Sequence, residues 1–286
     1  MTGKQPIAID LFAGAGGMSL GFEQAGFDVV AAVEIDPVHA VVHKFNFPDC
    51  AVLPRSVTDL SGKDIRRAAK IGNRRVDVVF GGAPCQGFSL IGHRAIDDPR
   101  NSLVRDFVRL VRELDATYFV FENVKGLTVG KHRTFLDEVI QEFERAGYDV
   151  LAPWKVLNAA DYGVPQDRER LFLIGSKAGR RLPAYPQPTS SVGTVTCRDA
   201  LGDLPNADAF ARLFETDAVT TSTWGTPSKY AADLRCLKPS SWYYGYRREW
   251  NPKLLSSSMR TVHTDISKRR FSQTSQGTVE PISRFF

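Results

Sequence analysis

Between residue 7 and about residue 177, short and almost wholly apolar runs alternate with longer segments whose apolar residues recur at helical spacing. This alternation constrains the fold more than any other feature. IAIDLF, VVAAVEI, a short run near AVL, VDVVFGG, TYFVFEN, YDVLAPWKVLN and RLFLIGS read as strands. GMSLGFEQAGF, DPVHAVVHKFN, DIRRAAKIG, NSLVRDFVRLVREL and RTFLDEVIQEFERAG read as the helices between them, the second with Asp36 as N-cap and Pro37 at its first position. Strands that are apolar on both faces need covering on both faces. The expectation is therefore an α/β chain with a mostly parallel sheet and helices on either side.

In such sheets ligands bind beyond the carboxyl ends of the strands. The notable polar residues collect there: Asp10 and the glycine turn after it, Glu34, Cys85, and Glu122 with Asn123. After residue 177 the pattern weakens. The expected organisation is a large domain over 1–177 that carries these strand ends, a Pro-, Gly- and Ser-rich linker over 178–190, and a partial small domain over 191–286.

Charge separates the same regions. The chain carries +5 overall, yet residues 234–286 hold ten Lys/Arg against three Asp/Glu, together with the aromatic run WYYGYRREW. Basic residues interleaved with aromatics suit a phosphate backbone and exposed bases. A solvated basic surface accounts for the charge equally well. No stretch is long and apolar enough for a membrane span. MTGKQPIAIDLF enters a strand without a charged leader and apolar core, so a cytoplasmic protein is expected. The four cysteines, at 50, 85, 197 and 236, form no C-x-x-C pair, which argues against a zinc site and a disulfide scaffold. No metal is expected.

DLFAGAGG, residues 10–17, is a strand entering a glycine turn that opens a helix. Gly14 and Gly16 fit the start of a dinucleotide fingerprint, but Ser19 stands where its third glycine belongs. Glu34 follows Gly14 by 20 residues, a spacing suited to ribose hydroxyls. A ribose clamp without a complete pyrophosphate cradle points to a nucleoside cofactor such as S-adenosylmethionine. A nicotinamide-dependent oxidoreductase is the competing enzyme. Asp59, after the third strand, is placed to accept from an adenine amino group. The bland alternative is that Gly14, Gly16 and Gly17 only make a tight turn.

Cys85 lies in FGGAPCQGFS, at the end of a strand. By itself it is either a small buried filler or a reactive thiol. Taken together, DLFAGAGG, Glu34 in VEID, FGGAPCQGFS, ENV (122–124) and QDRER (166–170) stand in an order and at intervals that resemble the DNA cytosine-5 methyltransferase family over the first 175 residues or so. The resemblance implies a Rossmann-like methyltransferase sheet, S-adenosylmethionine as methyl donor and double-stranded DNA as partner, in a prokaryotic-type restriction-modification or other DNA-modification system. It makes Cys85 the nucleophile that adds to C6 of a flipped cytosine. Glu122 assists at N3, Arg170 contacts O2 and Arg168 braces the site. Asp10, Phe12, Gly14, Gly16, Gly17, Glu34, Ile35, Asp59 and Pro84 line the cofactor side, and the Pro84 carbonyl helps to identify the cytosine amino group. Gln86, Ser89, Arg94 and Arg100, on the loop after Cys85, and Lys268, Arg269 and Arg270 are the candidate DNA contacts.

The chain departs from the family pattern at its end, VEPISRFF, where an R-x-x-T-x-x-E-type helix and a later Gly-Asn stretch are lacking. Three expectations follow: a catalytic part completed by a second subunit with the missing motifs, a truncated and inactive product, or a retained DNA-binding or regulatory remnant.

Overall fold

A computed structural model describes residues 5–84, 102–130, 132–189, 195–204, 219–221, 225–234 and 277–279. The chain divides into two compact units, one formed by Met1–Asn158 with Glu169–Gln187, the other by Ala159–Arg168 with Pro188–Phe286.

The first unit is built on an eight-stranded sheet. Its elements are β1 (Ile7–Leu11), α1 (Gly17–Gln24), β2 (Asp28–Val33), α2 (Pro37–Asn46), β3 (Ala51–Leu53), α3 (Gly62–Ala68), β4 (Val78–Gly81), α4 (Ser102–Glu113), β5 (Tyr118–Val124), α5 (His132–Arg145), β6 (Tyr148–Val150), β7 (Lys155–Asn158) and β8 (Glu169–Lys177). The strand order is β3-β2-β1-β4-β5-β8-β6, with β7 also paired to β8. The alternation of apolar runs and helices is thus reproduced, and Asp36 caps α2 by accepting from the Val38 and His39 N–H groups.

Strands β3, β2, β1, β4 and β5 are parallel, so their carboxyl ends share one edge. Chain order reverses between β1 and β4, which opens the crevice where such sheets hold ligands. The far flank supplies the antiparallel part of the mostly parallel sheet: β8 runs antiparallel to β5, β6 and β7. The reason is connectivity. Only a short 3-10 turn, Ala159–Tyr162, and no α-helix separates β7 from β8, and without a crossover helix the chain returns antiparallel.

Side-chain alternation sends the two faces of each strand into separate cores. Ile7, Ile9 and Leu11 of β1 join Phe119 and Phe121 of β5 against residues of α3, α4 and α5, including Ile65, Phe107 and Phe143. Ala8 of β1 and Phe80 of β4 face α1 with its Phe22, and Phe47 beyond α2. Phe119 stacks on Phe143 at 3.8 Å between centroids, and Phe22 on Phe80 at 3.8 Å. A buried ring of this kind contributes about 3–5 kcal/mol, so the sheet is a stiff base for its edge. Asp10 and Glu122 occupy the even, α1-side positions of their strands, out of the α3–α5 core.

In the second unit the described elements are α6 (Cys197–Leu201), β9 (Val219–Thr221), α7 (Lys229–Leu234) and β10 (Gly277–Val279). Strands β9 and β10 pair antiparallel. Among the described residues no helix is long and apolar enough to cross a membrane.

Candidate active site

The turn after β1 is shaped by backbone that few residues tolerate. Phe12, Gly14 and Gly16 have φ of 62°, 52° and 99°. Glycine adopts these values readily, whereas Phe12 does so at a cost of about 1–2 kcal/mol. A side chain at Gly16 would run into the Phe47 ring, while at Gly14 and Gly17 it would meet only open space. Gly16 is therefore needed for packing, and the other two leave a bare surface beside the turn.

Three side chains hold that turn. Glu34, at the end of β2, accepts from the Gly14 N–H through Oε2 at 2.7 Å and from the Asp36 N–H through Oε1 at 2.8 Å. His43 donates from Nδ1 to the Gly14 carbonyl at 3.2 Å, and Asn46 donates to the Ala15 carbonyl at 2.8 Å. His43 is fully buried, and burial lowers its pKa. Burial therefore favours the neutral ring with the proton on Nδ1, and among the described residues Nε2 has no partner. Nothing in the sequence singled out His43 or Asn46. Their spacing of three residues on α2 places both on one face, a signal too common to stand out.

Asp10 lies beneath the turn, 1% exposed, and accepts from the Ser19 hydroxyl at 2.6 Å. Burial raises its pKa to about 7, the Ser19 hydrogen bond opposes this, and the nearby Glu34 charge adds to it. The serine that replaces a third glycine is thus explained physically, as the buried partner of a buried carboxyl. Ile35 is 68% exposed beside Glu34, and Phe12 is half-buried. Asp59 is exposed on a 3-10 turn after β3, Val57–Asp59, and receives the Thr58 hydroxyl at 3.3 Å.

At the other end of the edge, Glu122 meets Arg170 with Oε1 3.1 Å from Nε. Register explains the meeting. Val124 is paired with Arg170 and Glu122 with Phe172, so Glu122 and Arg170 are diagonal neighbours on one face of the β5–β8 ladder. Arg170 also donates to the Glu169 carbonyl at 2.8 Å. A side chain at Gly82 would stand 2.7 Å from Glu122 Oε2, so the bare backbone after β4 makes room for this carboxylate. Asn123, buried, donates to the Ala83 carbonyl at 2.9 Å and pins the segment that leads to Pro84. Pro84 is exposed. Arg168, in the second unit, is exposed, and its carbonyl accepts the Ala159 N–H at 3.0 Å.

Cys85, Gln86, Ser89, Arg94, Arg100, Lys268, Arg269 and Arg270 lie outside the described residues. Of the other cysteines, Cys50 is buried with its thiol pushed up to about 12 by burial, whereas Cys197 is exposed. Among the described residues no group of three or more His, Cys, Asp or Glu side chains is placed to hold a metal ion.

Residues 7–278 match the model of the C-5 cytosine-specific DNA methylase family. The chain belongs to this family. It is 59% identical over 281 residues to Type II methyltransferase M.XorII of Xanthomonas oryzae pv. oryzae, an alignment spanning 98% of this chain and 65% of that methylase. It is 44% identical over 220 residues to Type II methyltransferase M1.HphI of Haemophilus parahaemolyticus, over 75% of this chain and 58% of the relative. Thus the chain spans about three-fifths of the length of these two family members. Among solved structures, a DNA modification methyltransferase encoded within an E. coli prophage superposes with a TM-score of 0.60 at 38% identity, over 71% of this chain and 56% of that one. The mixed α/β sheet is therefore the methyltransferase sheet that the motifs implied.

Proposed function

We propose that the protein transfers a methyl group from S-adenosylmethionine to C5 of a cytosine flipped out of duplex DNA, with Cys85 as nucleophile. The observation that carries the reading is the Glu122–Arg170 pair. An acid–base group and a fixed cation meet at the same strand-end edge that leads, through Gly82 and Ala83, into Pro84-Cys85. Restriction-modification is the setting, as supported by the Type II names of the relatives.

The residues of the first turn suit the cofactor. Glu34 uses one lone pair of each oxygen on a backbone N–H, so each oxygen retains another for a ribose hydroxyl. Gly14 and Gly17 leave open surface next to it, and the exposed Ile35 provides an apolar face for a purine. Asp59 supplies an acceptor for the adenine amino group. When bound, S-adenosylmethionine supplies an electrophilic methyl group on a sulfonium.

C5 of an intact cytosine ring is too weak a nucleophile to take that methyl. The Cys85 thiolate adds to C6 and forms a C–S bond, and the electron pair displaced from the C5–C6 double bond makes C5 enamine-like. Glu122 as the carboxylic acid donates towards N3 in this addition, and Arg170 stabilises charge developing at O2. The Pro84 carbonyl accepts from the exocyclic amino group. Methyl transfer leaves S-adenosylhomocysteine; the C5 proton then goes to a base, the C–S bond breaks to release the thiolate, and the proton at N3 returns to Glu122. Arg94 and Arg100 on the loop, and Lys268, Arg269 and Arg270 beyond it, are proposed as phosphate contacts, with Gln86 and Ser89 next to the flipped nucleotide and Arg168 as a brace.

The test is methyl transfer to mixed-sequence DNA by the 286-residue chain, alone and with a polypeptide carrying the C-terminal third of a relative. Cys85→Ala is expected to abolish transfer in either format while DNA binding persists. Substantial activity in that variant would overturn the covalent mechanism. Activity only with the added polypeptide supports a second subunit, and inactivity in both formats supports the remnant.

A further inference from the structure

The proposed adenine contact, Asp59, sits on a short exposed turn whose local bonds are the Thr58 N–H to Ser56 Oγ at 3.3 Å, the Asp59 N–H to the Ser56 carbonyl at 3.2 Å, the Leu60 N–H to the Val57 carbonyl at 3.4 Å, and Arg55 Nη2 to the Asp59 carbonyl at 2.9 Å. One side chain from a distant element grips the carbonyls on both sides of Asp59. Arg109, two turns into α4, donates from Nη2 to the Val57 carbonyl at 2.9 Å and from Nη1 to the Leu60 carbonyl at 3.0 Å. These two carbonyls bracket Asp59 on either side. The guanidinium is itself fixed by Asp106, at 3.0 Å from Nε and 2.8 Å from Nη2, and by Glu113, at 3.1 Å from Nη1. Glu113 in turn accepts the Gly62 N–H at 2.7 Å, just beyond the turn.

We propose that Arg109 is a positioning residue for nucleoside recognition: it sets the 57–60 turn so that the Asp59 carboxylate stands where an adenine amino group can donate to it. The inference rests on the assignment of Asp59 to adenine. The chemistry demands arginine at this place. Its planar fork reaches two carbonyls at once while both carboxylates hold its other edges, and the single ammonium of lysine cannot bridge the same set.

Arg66 provides an internal control. It also bridges backbone carbonyls, reaching Gly72 at 3.1 Å, Arg74 at 2.8 Å and Leu114 at 2.5 Å, and none of these belongs to the Asp59 turn. The experiment compares calorimetric Kd values of the full chain for S-adenosylhomocysteine and for S-inosylhomocysteine, in which a 6-oxo group replaces the 6-amino donor. Wild type and R66M are expected to prefer the adenosyl compound by roughly tenfold, the scale of one hydrogen bond to a charged acceptor. R109M, and R109K in case R109M folds poorly, should both bind the adenosyl compound more weakly and lose the preference. Retention of the preference in both Arg109 variants, with its loss in D59A, overturns the role of Arg109 and leaves Asp59 standing. A preference that survives D59A, or is absent from wild type, overturns the Asp59 assignment and the inference with it. Equal loss in R66M reduces the effect to general stability and also overturns the proposal.

Discussion

At the β1–β2 end of the sheet edge the carboxylates lie under protein, with Asp10 1% and Glu34 9% exposed. At the β5–β8 end the side chains of Glu122 and Arg170 are 22% and 24% exposed and lean on each other. The first end is built on strands that run parallel, and the second on an antiparallel pair. In the parallel part, side chains are fastened to backbone: Glu34 to Gly14 and Asp36, His43 to Gly14, Asn46 to Ala15, Arg109 to Val57 and Leu60. In the antiparallel part, one charged side chain is fastened to another. The contrast teaches that the edge has a preorganised end and a more open end; under the proposed function, the first suits a ligand that is always the same, and the pair at the second exchanges partners when a base arrives. Removing a group from the first end should weaken cofactor binding; removing one from the second should slow chemistry.

The largest expected effect is at the open end. Glu122→Gln keeps the size of the side chain and removes the acid, so kcat should fall by about 10²–10⁴-fold, the usual range for a positioned general acid. The affinity for S-adenosylhomocysteine should stay within about threefold, because no cofactor contact is lost. Steady-state kinetics with calorimetry checks both values. A large loss of cofactor affinity in this variant would erase the distinction between the two ends.

Glu34→Ala makes the opposite test. It leaves the Gly14 and Asp36 N–H groups without their acceptor and removes the proposed ribose clamp. Hydrogen bonds to a charged group contribute about 1.5–3 kcal/mol each, so a Kd for S-adenosylhomocysteine raised by roughly 10–100-fold is expected. At saturating cofactor, kcat should change far less. A variant with unchanged Kd would return the glycine turn to a purely structural role.

How much of this was legible beforehand follows the same division. The strand–helix alternation, the Asp36 cap and the position of Glu34 are local patterns, carried by periodicity and by spacing from Gly14. The direction of β8 was not, because an apolar run such as LFLI looks the same whichever way its strand enters a sheet. The Glu122–Arg170 contact needed the register of two strands far apart in sequence, although the family resemblance had marked both as candidates. His43, Asn46 and Arg109 stayed hidden because each acts on a backbone carbonyl far away in the chain, and carbonyls carry no sequence signature. Ser19 was visible only as a missing glycine until Asp10 lay next to it.

A smaller effect belongs to Asp10. Burial raises its folded pKa to about 7, against about 3.9 in an unfolded chain. Between these values the folded protein holds a proton that the unfolded chain has released, so the stability contribution, full below about pH 4, is lost as pH rises through about 7. Asp10→Asn can still accept from Ser19 and has no proton to lose. The prediction is that wild-type Tm, measured relative to this variant, falls by several degrees from about pH 5 to about pH 8, since each kcal/mol moves Tm by roughly 2–4 °C. Parallel Tm profiles would show that Asp10 keeps its charge when folded, and the buried character of this end would then be overstated.

The smallest effect is expected just outside the open end, where Lys125 and Glu169 join β5 to the start of β8 with Nζ 2.6 Å from Oε2. The side chains are 52% and 40% exposed, and pairs so open to water contribute about 0.2–1 kcal/mol and weaken with salt. Arg170 does not depend on this bridge, because it holds the Glu169 backbone carbonyl rather than the carboxylate. Lys125→Met should therefore lower Tm by no more than about 2–4 °C at low salt, with the difference fading near about 1 M salt, and leave kcat within about twofold. Thermal melts at two salt concentrations, run beside the methyl-transfer assay, measure both. A kcat lowered about tenfold would mean that the reacting end of the edge extends to its rim. Glu169 would then have to be counted among the charges that set Arg170 against Glu122, and the open end would rest on a network of four groups rather than on one pair.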